Sequence, residues 1–241
     1  MGVAKFTWFL RQELRRMVKY KIIQISFLLA LLWCGVLFLS GEEAVATFLP
    51  LFIFVDASVM SMMMMGAILF YERQENTLKP LLVTPLKIAY VIAARLVVGI
   101  VIALQSALIL SLFARFVMNT EVAFVWLFFA VVLVAFTHAV LGYVVSLFVK
   151  DFNGLLMNIV AYMMFFGLPT ILFALGVISD AFERVLLFSP THGSFLLIGH
   201  SLGASLSSGT LVFVMLYLVL LSVGLLIAWV APNYARIGVK E

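Results

Sequence analysis

Six apolar runs, at residues 22–40, 48–71, 89–117, 122–149, 154–178 and 208–230, decide what this chain can fold into. Each is close to or longer than the about 20 residues a helix needs to cross the hydrocarbon of a bilayer. None alternates apolar and polar with a period of two, as the strands of a membrane barrel do. In lipid every backbone N–H and C=O needs an internal partner, so runs of this kind mean helices. Composition agrees. Only 11% of the residues are charged and 66% are hydrophobic, against roughly 25% charged in soluble domains. The expected fold class is all-α integral membrane, with six transmembrane helices in a single domain over residues 1–241. The first run is too long for a signal-peptide core and five more follow, so it is expected to be retained. Cys34 lies alone inside that run and forms no intrachain disulfide.

Residues 3–20 precede the first run. Phe6, Phe9, Leu10, Leu14, Met17 and Val18 recur at three- and four-residue spacing, while Arg11, Gln12, Arg15, Arg16 and Lys19 fill the other side. That pattern predicts an N-terminal amphipathic helix lying in the headgroup plane. Six spans put both termini on one side. Thirteen of the fifteen Lys and Arg residues then fall on that side, and only Arg115 and Arg184 on the other. The positive-inside rule therefore predicts cytoplasmic termini in a multi-pass protein of the cell membrane.

Between the second and third runs stands YERQENTLKPLLVTPLK, residues 71–87, which is charged and twice broken by proline. Thr77 is placed to cap a helix start, accepting from a free backbone N–H. Pro80 then falls in the first turn, where its missing N–H is not needed. Pro85 disfavours helical geometry at Thr84 and ends the helix there. Leu78, Leu81 and Leu82 share one face, flanked by Glu72, Glu75 and Lys79. The ridge either docks in a groove of another protein or rests on the membrane surface.

The same stretch is similar to the signature of ABC type-2 exporter permeases, whose usual form is Glu-Arg-x-x-Gly-Thr-Leu-x-x-Leu-Leu-x-Thr/Ser-Pro-Leu. Glu72, Arg73, Thr77, Leu78, Leu81, Leu82, Thr84, Pro85 and Leu86 match, and Asn76 replaces the glycine. Asn also tolerates unusual turn geometry, so the departure is mild. The resemblance extends to the N-terminal helix, the six spans and the length. It implies that residues 72–85, Glu75 included, form a cytoplasmic coupling helix seated on an ATP-binding cassette ATPase subunit. It also implies that a second permease copy or a paralogue completes the path. No G-x-x-x-x-G-K-[ST] phosphate loop occurs in the chain, so ATP and Mg are expected on the partner and no cofactor here. The expected cargo is a hydrophobic or amphiphilic small molecule, such as a drug, antibiotic or lipid-like compound. Haem export of the cytochrome c maturation type and ATPase-independent secondary transport remain alternatives. Membrane lipid is an expected partner, nucleic acid is not.

Residues 179–207 hold two apolar pieces too short to cross, VLLFSP and SFLLIGH, separated at Pro190. They predict either an outer re-entrant helical hairpin or two surface helices. GHSLG, Gly199 to Gly203, fits the nucleophile elbow of hydrolases around Ser201, with His192 and Asp180 as conceivable partners, but that motif needs a strand before it and an α/β sheet. Within the spans, Asp56 is costly in hydrocarbon, about 3 kcal/mol on insertion scales, and has to face protein or water. Either it lines the transport path or it bonds a neighbouring helix. His138 is weighed the same way. Gln105 and Asn158 fit interhelical hydrogen bonding. Met60, Met63 and Met64 form either an adaptable binding wall or gap-filling packing. No Cys or His accompanies them, which weakens a soft-metal role.

Overall fold

The computed structural model describes residues 2–75, 87–149 and 151–233. Among them the backbone is helical almost throughout and no strand occurs. Helix α1 covers Gly2–Lys19. Six helices are long and apolar enough to span a membrane: α2 (Ile22–Ser40), α3 (Glu42–Gln74), α4 (Ile88–Phe116), α5 (Phe124–Phe148), α6 (Phe152–Ala174) and α9 (Ser208–Asn233). Between α6 and α9 lie the single-turn α7 (Glu183–Leu186) and the three-turn α8 (Pro190–Ser201).

The bounds agree with the apolar runs except at the second. There α3 begins at Glu42, six residues before residue 48, and only Gly41 separates it from α2. Gly41 has φ 81°, a conformation glycine adopts without a Cβ penalty. Glu42 and Glu43 occupy the first turn of α3, where carboxylates complement the positive end of the helix dipole. The short polar stretch therefore extends a helix instead of looping. The fifth run, α6, is an α-helix with a π turn at Met163–Gly167. Its start is capped by Asp151, whose Oδ1 accepts from Gly154 N at 2.6 Å.

Helices α3, α4 and α5 form the interior, while α2, α6 and α9 are largely exposed on the outside. Their exposed side chains include Leu28, Phe38, Phe165, Leu220 and Ile227. A rim that apolar suits lipid, not water. At the centre α3 and α5 touch backbone to backbone: a Cβ on Gly142 would lie 2.6 Å from the Met62 carbonyl oxygen and 2.7 Å from its Cα. Glycine is what permits that approach.

Helix α8 is buried among α3, α5 and α9. Ser189 precedes it and Pro190 opens it, the first-turn position proline favours. Two short helices around Pro190 are thus present, one exposed and one packed inside. Helix α1 packs against α4 and α2. Its inward stripe is Phe9, Glu13 and Met17. Val18, expected on the apolar face, points outward and is half exposed. A buried acid at the centre of the stripe rotates the helix away from the face that hydrophobicity alone defines.

Candidate functional site

Two groups of polar side chains stand out against the apolar bundle. The first joins three helices at the α1 side. Glu13 of α1, Glu72 near the end of α3 and Arg95 of α4 are all buried, and Arg16 of α1 is half-buried. The Arg95 guanidinium donates to the Glu72 carboxylate, and Arg95 Nε lies 3.7 Å from Glu13 Oε1. Arg16 Nη1 lies 3.4 Å from Glu13 Oε1 and 3.6 Å from Glu72 Oε1. Among the described residues, two carboxylates and two guanidiniums meet here. Such a set survives burial because each ion has partners, whereas removing one leaves an uncompensated charge. A turn further on, the Tyr20 hydroxyl donates to Glu75 Oε1 at 2.9 Å, and the Tyr20 ring stacks on Tyr71 at 5.5 Å. That hydrogen bond, more than burial, raises the Tyr20 phenol above its usual range.

These contacts fix the chain where it enters and leaves residues 76–86. Thr77, Leu78, Leu81, Leu82, Thr84 and Pro85 lie outside the described residues, as does the Arg73 side chain. Of the acids expected on the partner-facing segment, Glu75 is exposed, whereas Glu72 is turned inward to Arg95. The reason is register. Arg95 stands two turns inside α4, in apolar surroundings, and Glu72 is a counter-charge at the same depth. Arg95 and Glu13 were legible only as loop and helix charges. The available signal was an arginine interrupting an apolar helix and a lone acid in a basic one.

The second group lies deeper. Asp56, near the middle of α3, is buried, and the Ser106 hydroxyl of α4 faces it. Neither carboxylate oxygen has a hydrogen-bond partner among the described residues, and neither has the Ser106 hydroxyl. His138 differs. Its Nδ1 lies 2.9 Å from the Val134 carbonyl and its Nε2 3.3 Å from the Tyr162 hydroxyl. Donating to the carbonyl leaves Nε2 to accept from tyrosine, so the ring is a neutral link between α5 and α6. Gln105 Nε2 donates to the Ile23 carbonyl at 3.3 Å, an interhelical bond as expected. Asn158 instead bonds Gly154 O of its own helix.

Met60, Met63 and Met64 come together. With Ala67, Tyr71, Ile22, Ile25, Ser26 and Phe152 they line a cleft of about 190 Å3 between α2 and α3. Its walls are mostly apolar; the buried Ser26 hydroxyl has no hydrogen-bond partner among the described residues. Asp56 and His138 are not among the lining residues.

Ser201 ends α8 and its hydroxyl donates to the Ile198 carbonyl of the same helix at 2.6 Å. A polar recess of about 530 Å3 beside it is lined by Arg115, Glu121 and His200. The GHSLG segment is thus a helix end closed by Gly203 at φ 98°, and the strand-turn-helix elbow is not formed. His192 sits elsewhere on α8, edge-on to Phe173 at 4.9 Å.

No family model matches this chain, and no curated protein does.

Proposed function

We propose that this chain is the membrane-embedded permease subunit of an ATP-binding cassette exporter. It moves a hydrophobic or amphiphilic small molecule out of the cytoplasm across the cell membrane, driven by a separate ATPase subunit. The observation that carries this reading is the ionic junction of Glu13, Arg16, Glu72 and Arg95. It ties α1, α3 and α4 into one body around residues 76–86. Force applied to that segment by a partner passes through charge-assisted contacts into two interior helices and the basic α1. A surface loop with no mechanical task has no need of a buried four-charge anchor at its base. The similarity of residues 72–86 to the permease signature supports the same assignment. In this reading α1 lies at the cytoplasmic interface, residues 77–84 form the coupling helix, and α7 with α8 forms the outer re-entrant hairpin. A second permease copy completes the path.

The test is a Leu78→Ala, Leu81→Ala double variant. Burying a leucine contributes roughly 1.5–3 kcal/mol, while exposed ion pairs contribute about 0–1 kcal/mol. The double variant is expected to lose co-purification of the ATPase subunit and to uncouple hydrolysis from transport in vesicles. Lys79→Ala is expected to do far less. Normal partner binding and transport by the leucine variant refutes the coupling-helix assignment and removes the mechanical centre of the exporter reading.

A further inference from the structure

Arg115 and Glu121 line the polar recess beside Ser201, and neither has an ion-pair partner among the described residues. Arg115 stands in the last turn of α4 and Glu121 in the connection to α5, both exposed. The Ala123 N–H donates to the Ser201 carbonyl at 3.3 Å, which holds that connection against the end of α8. His200 of α8 has its Nδ1 3.1 Å from the Ala204 carbonyl. Donating there leaves Nε2 as an acceptor. The recess, about 530 Å3, therefore offers one guanidinium, one carboxylate and one imidazole nitrogen. Beneath it an apolar groove of about 610 Å3 runs between α4 and α5, with Leu104 and Leu108 on one wall and Phe128 and Phe129 on the other. The two cavities follow one another along the same pair of helices. Leu108, Leu112 and Arg115 recur at four- and three-residue spacing, so Arg115 continues the face of α4 that forms the groove. On α5, Phe124 lines the recess and Phe128 the groove, their ring centroids 6.1 Å apart. Leu108, Leu112 and Phe129 remain exposed, and so does Trp126 beside Phe129. Tryptophan favours the boundary between lipid and water, which places the recess at headgroup level.

We infer that recess and groove together form a site for one phospholipid with a primary-amine headgroup. Its phosphate pairs with Arg115, its ammonium with Glu121 and His200 Nε2, and an acyl chain lies in the groove. Charge complementarity selects this occupant. A guanidinium matches a phosphate, and the carboxylate beside it demands a cation on the same molecule. An anionic glycerol headgroup satisfies Arg115 and is repelled by Glu121. A choline headgroup brings a cation with no N–H, which leaves both acceptors without a donor. Length agrees as well. From Leu112 to Val101, at the far end of the groove, is about 16 Å at 1.5 Å per residue. That is the depth of one leaflet in a hydrocarbon core about 30 Å thick. The charge asymmetry puts Arg115 on the outer side, so the outer leaflet supplies the lipid. Binding of this kind is independent of the exporter reading.

The experiment is native mass spectrometry of the full chain, delipidated in detergent and titrated with phosphatidylethanolamine, phosphatidylcholine or phosphatidylglycerol of identical acyl chains. One phosphatidylethanolamine is expected to be retained about tenfold more tightly than either of the others, the ratio that one charge-assisted hydrogen bond supplies. Glu121→Gln is expected to abolish that preference while phosphatidylcholine binding holds. Arg115→Ala is expected to weaken every lipid, and Leu108→Trp to block them all by filling the groove. Both charged positions are exposed, so neither substitution threatens the fold. Equal retention of the three lipids by the unsubstituted chain overturns the proposal without recourse to any variant. An ethanolamine preference that survives Glu121→Gln, or lipid binding unchanged in Arg115→Ala, does the same. A dimer that retains no lipid and dissociates in Leu108→Trp assigns the groove to a second copy of the chain and also overturns it.

Discussion

Arg95 is the most consequential single residue in the described structure. It is fully buried, and its guanidinium serves both Glu72 and Glu13. Arg95→Ala leaves the two buried carboxylates of Glu13 and Glu72 without the guanidinium between them. Breaking a buried pair from one side costs about 3–5 kcal/mol, so the thermal midpoint of the purified chain should fall sharply. Arg95→Lys keeps the charge but not the forked donor geometry, and recovers part of the loss. A midpoint unchanged in Arg95→Ala shows that the junction is not structural. Ser201 marks the opposite end of the scale. Its hydroxyl is bonded within its own helix, and Ser201→Ala is expected to leave transport and expression intact. Loss of activity with normal assembly would return the hydrolase reading to contention.

At the scale of elements, the contact between α3 and α5 depends on one missing side chain. Gly142→Ala drives a Cβ into the Met62 backbone, which unlike a flexible side-chain tip cannot turn aside. Overpacking of this kind costs about 1–3 kcal/mol. Gly35→Ala in α2 is the matched control, since nothing lies within 4 Å of its added methyl. There alanine's better helix propensity leaves stability unchanged or slightly raised. The measurement is the thermal midpoint of both variants in the same detergent; equal midpoints would mean that α3 and α5 do not pack this closely. The helices themselves were largely legible in the sequence, because hydrocarbon enforces helix over every long apolar run. The start of α3 was not. A polar stretch at residues 41–47 reads as a loop until the Gly41 turn and the acids at a helix N-terminus are considered together. The burial of α8 was likewise out of reach, since a short apolar helix carries no mark of which neighbours cover it.

For the whole molecule, the charge asymmetry predicts that α1, the α3–α4 connection and the α5–α6 turn share one side of the membrane. Single cysteines at Lys5, Lys87, Glu121 and Arg184, in a Cys34→Ala background, test this in intact cells. Reagent that cannot cross the membrane is expected to label the last two positions only. Labelling of Lys5→Cys from outside reverses the orientation and with it the direction of transport.

Six spanning helices, their approximate bounds and the basic amphipathic start follow from the sequence by itself, because each rests on a local property: run length, periodicity or the sign of nearby charge. Which polar residues act together does not. His138 and Asp56 look alike as isolated polar groups in apolar runs, yet one is bonded on both ring nitrogens, while the other, facing a serine, has no well-formed hydrogen bond among the described residues. Glu72 reads as an exposed partner contact and is an internal counter-ion. Met60, Met63 and Met64 read as packing or as wall, and their grouping with Ser26 comes from α2 folding back across Gly41. Those distinctions belong to tertiary structure because a side chain's charge partner, or lack of one, is set by helices far apart in the chain, and no local pattern records the register in which they meet.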